Sequence, residues 1–250
     1  MRLLLAMIAL ISLTGARDPI LVPEVSPHEI QVRQGFTGAQ LLLFGAILSP
    51  DGTRAGQDYD IVVVLKGPTS QAILREKRKI AGIWINAAST ELHSVPAYFA
   101  VASTRPIAKI VDGKTAAIYE LGLPWLQLSP TGAIDPKALE RFAGGLVDLM
   151  TRKGLYQQNE AGVKVSEQVL YQAQIALPSS VATGRYTAET FAISKGRVVA
   201  SAISHVEVRK LGFEGVVAEF AETYSFLYGL MAVAVAVMMG WLAGRVFALV

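Results

Sequence analysis

The chain has no cysteine and only three histidines in 250 residues. Without thiols it can form no disulfide, thiolate metal site or thiol nucleophile. A domain exported from the cytoplasm would have to hold together by its core alone, which roughly 200 residues can do. Catalytic motifs are missing too. No G-x-S-x-G occurs, and three scattered histidines give little basis for a Ser-His-Asp triad. Gly35-Phe36-Thr37-Gly38 lacks the Gly-Lys-Ser/Thr of a phosphate loop, and a strand is expected where a helix should follow, so it reads as a turn. Carboxylates are plentiful, but no pairing for acid–base work is visible. The expectation is a protein without cofactor or metal and not an enzyme.

A strong charge of one sign is also lacking. The sequence pI is 9.1, but of 23 Lys and Arg, Arg2 and Arg245 belong to terminal segments free of acidic residues, which leaves 21 against 20 acidic and a net of +1. That is no footprint for nucleic acid.

What is abundant is apolar sequence, concentrated at the two ends. Arg2 precedes an uncharged run from Leu3 to Leu13, followed by the small residues Thr14-Gly15-Ala16. This is the pattern of a secretory signal peptide over residues 1–16, cut after Ala16, and the run is too short for the roughly 20 residues of a membrane span. No cysteine follows it, so lipoprotein anchoring is excluded. At the other end, Ser225 to Gly244 carries no charge. Its length suits the hydrocarbon core, and apolarity on every side rules out an ordinary surface helix. Tyr224 and Tyr228 mark one end and Trp241 the other, as interfacial aromatics do. Residues 224–244 are therefore expected to span the membrane, with Arg245 placing the tail of residues 245–250 inside and residues 17–222 outside. Ala232, Ala236, Gly240, Gly244 and Ala248 recur every four residues, a ridge of small side chains against which a second helix could pack closely.

Between the ends the dominant period is two. His28, Ile30 and Val32 alternate with Glu29, Gln31 and Arg33. Gln40 to Leu48 suits a strand buried on both faces, and Tyr59 to Leu65 is β-branched and stops at Gly67-Pro68. Ile73 to Asn86 reads as one long or bent strand, with Ile83 and Ile85 facing one way and Trp84 the other. Ala97 to Ser103 reads as a buried strand. The period then changes. Asp135 caps a helix with Pro136 at its first position, Leu139, Phe142, Leu146, Val147 and Met150 share a face, and Arg152-Lys153-Gly154 close it. Gly144-Gly145 inside it costs about 1 kcal/mol per residue. Afterwards Val163, Val165, Val169, Tyr171, Ala173, Ile175 and Leu177 share one face of a strand. Tyr186–Ser194 and Arg197–Val208 form a hairpin at Lys195-Gly196. The fold class is mainly β: an immunoglobulin-like sandwich with strands over 24–103 and 163–210, a helical insertion over 113–154, and one C-terminal transmembrane helix. One composite domain and two lobes are both compatible with this order.

Polar clusters are sparse. His205, Glu207 and Arg209 share a strand face, where His-x-Glu could give two metal ligands but lacks a third; a solvated face is the simpler reading. Glu24 with His28 and Glu91 with His93 are similar near-pairs. Arg75, Lys77 and Lys79 would share a strand face, able to meet anionic head groups or an acidic partner, or simply to keep a sheet edge from pairing.

The strings GFTGAQLLLFGAI (35–47), VVVLKGP (62–68), AGIWINA (81–87), YFAVASTRP (98–106), GRYTAETF (184–191) and KLGFEGVVAEFA (210–221), with the terminal helix, resemble a family of alphaproteobacterial transmembrane proteins. The resemblance spans nearly the whole mature chain. It implies a signal-bearing, single-anchor protein without assigned activity or catalytic residues, with genes often beside a permease similar to the sulfite exporters. The reading is a membrane-anchored periplasmic accessory or binding protein of the bacterial inner membrane. It contacts the bilayer and a membrane protein, either a permease or another copy, through Ala232, Ala236, Gly240 and Gly244. An envelope enzyme with a site assembled from distant residues and a self-associating structural protein are the alternatives. The topology predicts that a reporter active only outside the cytoplasm works when fused after Val208, and that the mature chain begins near Arg17. A purified protein that retains Met1 would contradict it.

Overall fold

Strand β4 (Asp60–Lys66) carries five consecutive aliphatic residues, Ile61 to Leu65, all without solvent exposure. Side chains alternate across a strand, so burial of all five requires cover on both faces. A computed structural model supplies both covers; it describes residues 19–32, 35–48, 59–167, 169–210, 217 and 220–247. The signal segment 1–16, Arg33, Ala248 and the tail beyond it lie outside the described residues. The chain divides into two units, one of residues up to Ile30 with Thr37–Glu207, the other of Gln31–Phe36 with Val208 onward.

The strands are β1 (Ile20–Ser26), β2 (Glu29–Val32), β3 (Gly38–Leu48), β4, β5 (Thr69–Ile80), β6 (Ile83–Pro96), β7 (Phe99–Ser103), β8 (Tyr156–Asn159), β9 (Val163–Ser166), β10 (Leu170–Pro178), β11 (Gly184–Ser194) and β12 (Arg197–Lys210). They form a four-stranded sheet β1-β3-β10-β9, a six-stranded sheet β2-β12-β11-β4-β7-β8 and a two-stranded sheet β5-β6. Strands from before and after the helical insertion interleave, β3 beside β10 and β4 beside β11. The fold is mainly β, with one C-terminal apolar helix.

The four- and six-stranded sheets face each other. Leu41, Leu43 and Ile47 of β3 and Tyr171, Ala173, Ile175 and Leu177 of β10 are buried, as alternation requires. The Tyr98 hydroxyl donates to the Ala176 carbonyl at 2.8 Å, and Tyr171 Oη lies 3.5 Å from Thr190 Oγ1, tying one sheet to the other. At Gly45 a Cβ would collide with the Val22 carbonyl oxygen and come within 2.6 Å of Tyr171 Oη, so the ladder closes there only around glycine.

Helices cover the outer face of the six-stranded sheet over β4, β7 and the end of β11. β7 and β8 run parallel, and a parallel pair needs a long crossover. That crossover is the helical insertion: α1 (Ile107–Ile110), α2 (Gly113–Ile118), a 3-10 turn (Leu123–Trp125) and α3 (Pro136–Arg152). Ile107, Ile110, Val111, Ala116 and Leu121 pack on Val62, Val64, Phe99, Val101, Phe191 and Ile193. Asp112 and Asp135 cap α2 and α3, accepting from the Thr115 N–H at 2.9 Å and the Ala138 N–H at 3.2 Å. On α3, Phe142 and Leu146 are buried, with Leu139, Val147 and Met150 partly so.

Four expectations need correction. Ile73 to Asn86 is two strands, because Ala81-Gly82, at φ of 50° and 87°, makes a tight turn between Ile80 and Ile83. Val163 to Leu177 is the hairpin β9–β10, with Tyr171 opposite Val165 and Val165 itself exposed. β3 is buried on one face only: the outer face of its sheet is uncovered and Phe44 is exposed. Seven strands precede the insertion and five follow, where five and three were expected. The Lys195-Gly196 turn forms as expected, both residues at positive φ.

Four of the chain's eight tyrosines, Tyr98, Tyr156, Tyr171 and Tyr186, are buried. Burial pushes the Tyr186 phenol up to about 12 and raises Tyr98 and Tyr156 as well, the neighbouring Tyr186 adding to the effect on Tyr98. Tyr171 is also raised by burial, against the opposing pull of its Thr190 hydrogen bond. In the unfolded chain these phenols ionise near the ordinary 10.0. Above that pH the unfolded state binds fewer protons than the folded one, so stability declines as pH rises. We predict no contribution from these groups to pH dependence below about pH 10 and progressive destabilisation above it, with the four phenols ionising only as the fold is lost. Tyrosinate absorbance from all eight residues before any loss of β-sheet circular dichroism would contradict this.

Candidate functional site

The longest helix, α4 (Ser225–Phe247), is apolar over Ser225–Arg245, has a mean hydropathy of 2.0, and its described side chains are exposed. At about 1.5 Å per residue its 21-residue apolar part is long enough for the hydrocarbon core. Its ends carry the interfacial chemistry. Tyr224 stacks near Phe220, ring centroids 5.7 Å apart, and the Arg245 guanidinium lies 5.7 Å from the Trp241 ring centroid. Ala232, Ala236, Gly240 and Gly244 fall four residues apart on this helix. A Cβ added at Gly240 or Gly244 would meet no atom within 4 Å, so the groove at these positions is open.

In the β unit, a cleft of about 260 Å³ is lined by Lys66, Tyr119, Glu120, Glu189 and Phe191, with Ser201 to Ile203 of β12. Lys66 ends β4, and its ammonium lies 2.6 Å from Glu120 Oε2 and 3.7 Å from Glu189 Oε2. Glu189 sits on the neighbouring β11, diagonal to Lys66 across a ladder that pairs Thr187 with Lys66. Glu120 follows α2 in the left-handed region, φ 52°, which costs a side-chain-bearing residue about 1–2 kcal/mol. Its carboxylate offsets this by accepting from Lys66 and from the Gln127 N–H at 2.8 Å. The arrangement clamps the helical layer to the sheet and leaves two carboxylates sharing one cation. Nothing in the spacing of these residues points to them, because only the β4–β11 ladder and the crossover bring them together.

A larger groove of about 590 Å³ runs between β5 and α3, lined by Ile73, Leu74, Arg141, Phe142, Leu146 and Leu149 with their neighbours. Gly144 and Gly145 form part of its wall, and a Cβ at either would meet open space. Glu76 bridges it, 3.7 Å from Arg141 Nη2 and 3.3 Å from Arg78 Nη2.

The histidines do not converge on either cleft. His28 Nε2 lies 2.8 Å from Glu24 Oε1 on the surface, and the Glu24 carboxyl is held below the usual range first by the Val25 N–H and then by His28. His93 Nδ1 meets the Gln71 amide at 3.0 Å rather than Glu91. His205 is exposed on β12, opposite in face to the buried Val206 and Val208. Among the described residues no group of three or more His, Asp and Glu is placed to hold a metal. Gly35 to Thr37 form a turn that leads directly into β3.

Replacing Lys66 with Met would leave Glu120 and Glu189 facing each other without their shared cation. At this partly exposed site we predict a loss of about 1–2 kcal/mol in urea unfolding, and partial recovery when Glu120→Gln is added. An unchanged midpoint in the single variant would show that the clamp contributes nothing.

Residues 20–248 match the family described as Putative transmembrane protein (Alph_Pro_TM). The comparison with curated proteins gives no match. The match runs from the first strand through the apolar helix, covering both units described above, and the chain belongs to this family of transmembrane proteins.

Proposed function

We propose that this protein is a non-enzymatic accessory subunit held in the bacterial inner membrane by α4. Its β unit lies on the periplasmic side, and the helix packs against another membrane protein. The observation that carries this reading is the helix itself: an apolar segment of spanning length with a groove of small residues along one line. Lipid tails are as apolar as leucine, so helices in a bilayer associate through close packing rather than burial from water. Ala232, Ala236, Gly240 and Gly244 would allow that approach. Arg245, in the last turn of the helix, favours the cytoplasmic side for the C-terminus. The partner we favour is the sulfite-exporter-like permease that the family resemblance implies, with a second copy of this chain as the other occupant of the ridge.

Replacing Gly240 and Gly244 with Leu fills the groove while keeping the segment apolar. No neighbouring atom obstructs the new side chains, so insertion and fold should survive. We predict normal membrane levels and a crosslink yield to the helix partner lowered by about tenfold, equivalent to roughly 1.4 kcal/mol. The same change at Val235 and Met239, off the ridge, should be neutral. Identical crosslinks in ridge and control variants would reduce the helix to an anchor.

A further inference from the structure

The two-stranded sheet β5–β6 ends in a tip that no other described residue covers. Residues 77–86 are exposed without interruption on both strands. They include Trp84, 65% exposed, and Ile83, 68% exposed, together with Ile80 and Ile85. They also include Lys77, Arg78 and Lys79, and no acidic residue. The strand register puts Lys79 opposite Trp84 and Arg78 opposite Ile85, so each face of the finger carries a cation beside a large apolar side chain. Ile80 and Ile83 flank the Ala81-Gly82 turn at the apex. Along the finger the Ile80–Ile83 pair comes first, Trp84 and Ile85 stand level with Lys79 and Arg78, and Lys77 lies about 10 Å behind the apex pair.

The root of the finger is fixed. Leu92 and Val95 are buried with Leu146 of α3, Ala72 and Leu74 pack against them, and Glu76 reaches Arg141. The ladder shifts register between Glu76 and Lys77, where the free end begins, and such irregularities re-aim a strand pair. Guarding a sheet edge against pairing accounts for the charges. It gives no reason for a tryptophan and three isoleucines held in water at the same tip.

We propose that this tip is a second membrane contact, in which Ile80, Ile83, Trp84 and Ile85 enter the interface of an anionic phospholipid bilayer while Lys77, Arg78 and Lys79 meet its phosphates. An interfacial element buries its apolar side about 5–10 Å deep and keeps its cations at the head groups. Here Ile80 and Ile83 lead, and the long Lys79 and Arg78 side chains, level with Trp84 and Ile85, can reach back to the phosphates. Charge selects the occupant. Lys77, Arg78 and Lys79 face one carboxylate, Glu76, which lies 3.3 Å from Arg78 Nη2 and also reaches Arg141. The tip therefore keeps a positive excess that is attracted to anionic lipid and repelled by the same tip of a second copy. The apolar helix of the same chain provides a membrane tether, so the tip is not required to capture a bilayer from bulk solution. This inference does not depend on the identity of any helix partner.

The chain's lack of cysteine makes a single label unambiguous. The full-length protein carrying Ile83→Cys with a nitroxide is reconstituted in vesicles of phosphatidylcholine with phosphatidylglycerol, and in vesicles of phosphatidylcholine alone. Lys164→Cys, exposed on β9, is the control. Collision of the label with oxygen, which concentrates in lipid, is compared with collision with a water-soluble nickel chelate. The expected result is a label at position 83 that is lipid-immersed in the anionic vesicles and largely aqueous in the neutral ones, with position 164 aqueous in both. Each Lys or Arg at an anionic surface is worth about fivefold in partition, so adding K77Q, R78Q and K79Q should shift the tip toward water by roughly a hundredfold. An aqueous label in both lipids would overturn the proposal. So would equal immersion without phosphatidylglycerol, or spin–spin broadening showing that a second copy covers the tip.

Discussion

Burial of the central strands β4 and β7 of the six-stranded sheet on both faces is the constraint from which the rest of the β unit follows. Ile61, Val63 and Leu65 point one way and Val62 and Val64 the other, and none is exposed. Each residue so buried is worth roughly 1.5–3 kcal/mol only while both layers are in place. One layer is the four-stranded sheet, joined through Tyr98 and Tyr171. The other is the helical insertion, whose presence is explained by the parallel β7–β8 pair that it connects. The Lys66 clamp is a consequence of this layering, since it joins a sheet strand to the loop after α2.

Much of this was legible from residue order, and what was hidden has physical causes. The β4 run and the Lys195-Gly196 turn stand out because β-branched residues and a glycine at positive φ have few other uses. The Asp135-Pro136 start of α3 is readable because cap chemistry is local. The β9–β10 turn is invisible to alternation: odd-numbered residues pair with odd-numbered ones, as Tyr171 with Val165, so the period runs straight through the bend. The Ala81-Gly82 turn is hidden because alanine seldom takes φ near 50°. The Lys66, Glu120 and Glu189 cluster could not be read at all, because its members meet only after the sheets are assembled. The anchor helix and its ridge needed no tertiary information, since length, apolarity and four-residue spacing are properties of one segment.

Two of the exposed apolar features, α4 and the tip of the β5–β6 finger, share a chemistry: large aliphatic side chains and a tryptophan with a cation close by. In water each would be a liability of the kind that drives aggregation. Beside a bilayer each is a contact, one through the hydrocarbon core and one at the head groups. On this account the protein is organised around a membrane, with the β unit carrying the finger.

The central claim is that the protein works by binding within and beside the membrane rather than by turning over a substrate. Recovery of the full-length chain from its native membranes in mild detergent, with co-purifying proteins identified by mass, tests it most directly. The account predicts a stable complex with a multispanning membrane protein that is lost when the helix ridge is filled. A chain that emerges alone and monomeric from membranes where it is abundant would contradict it.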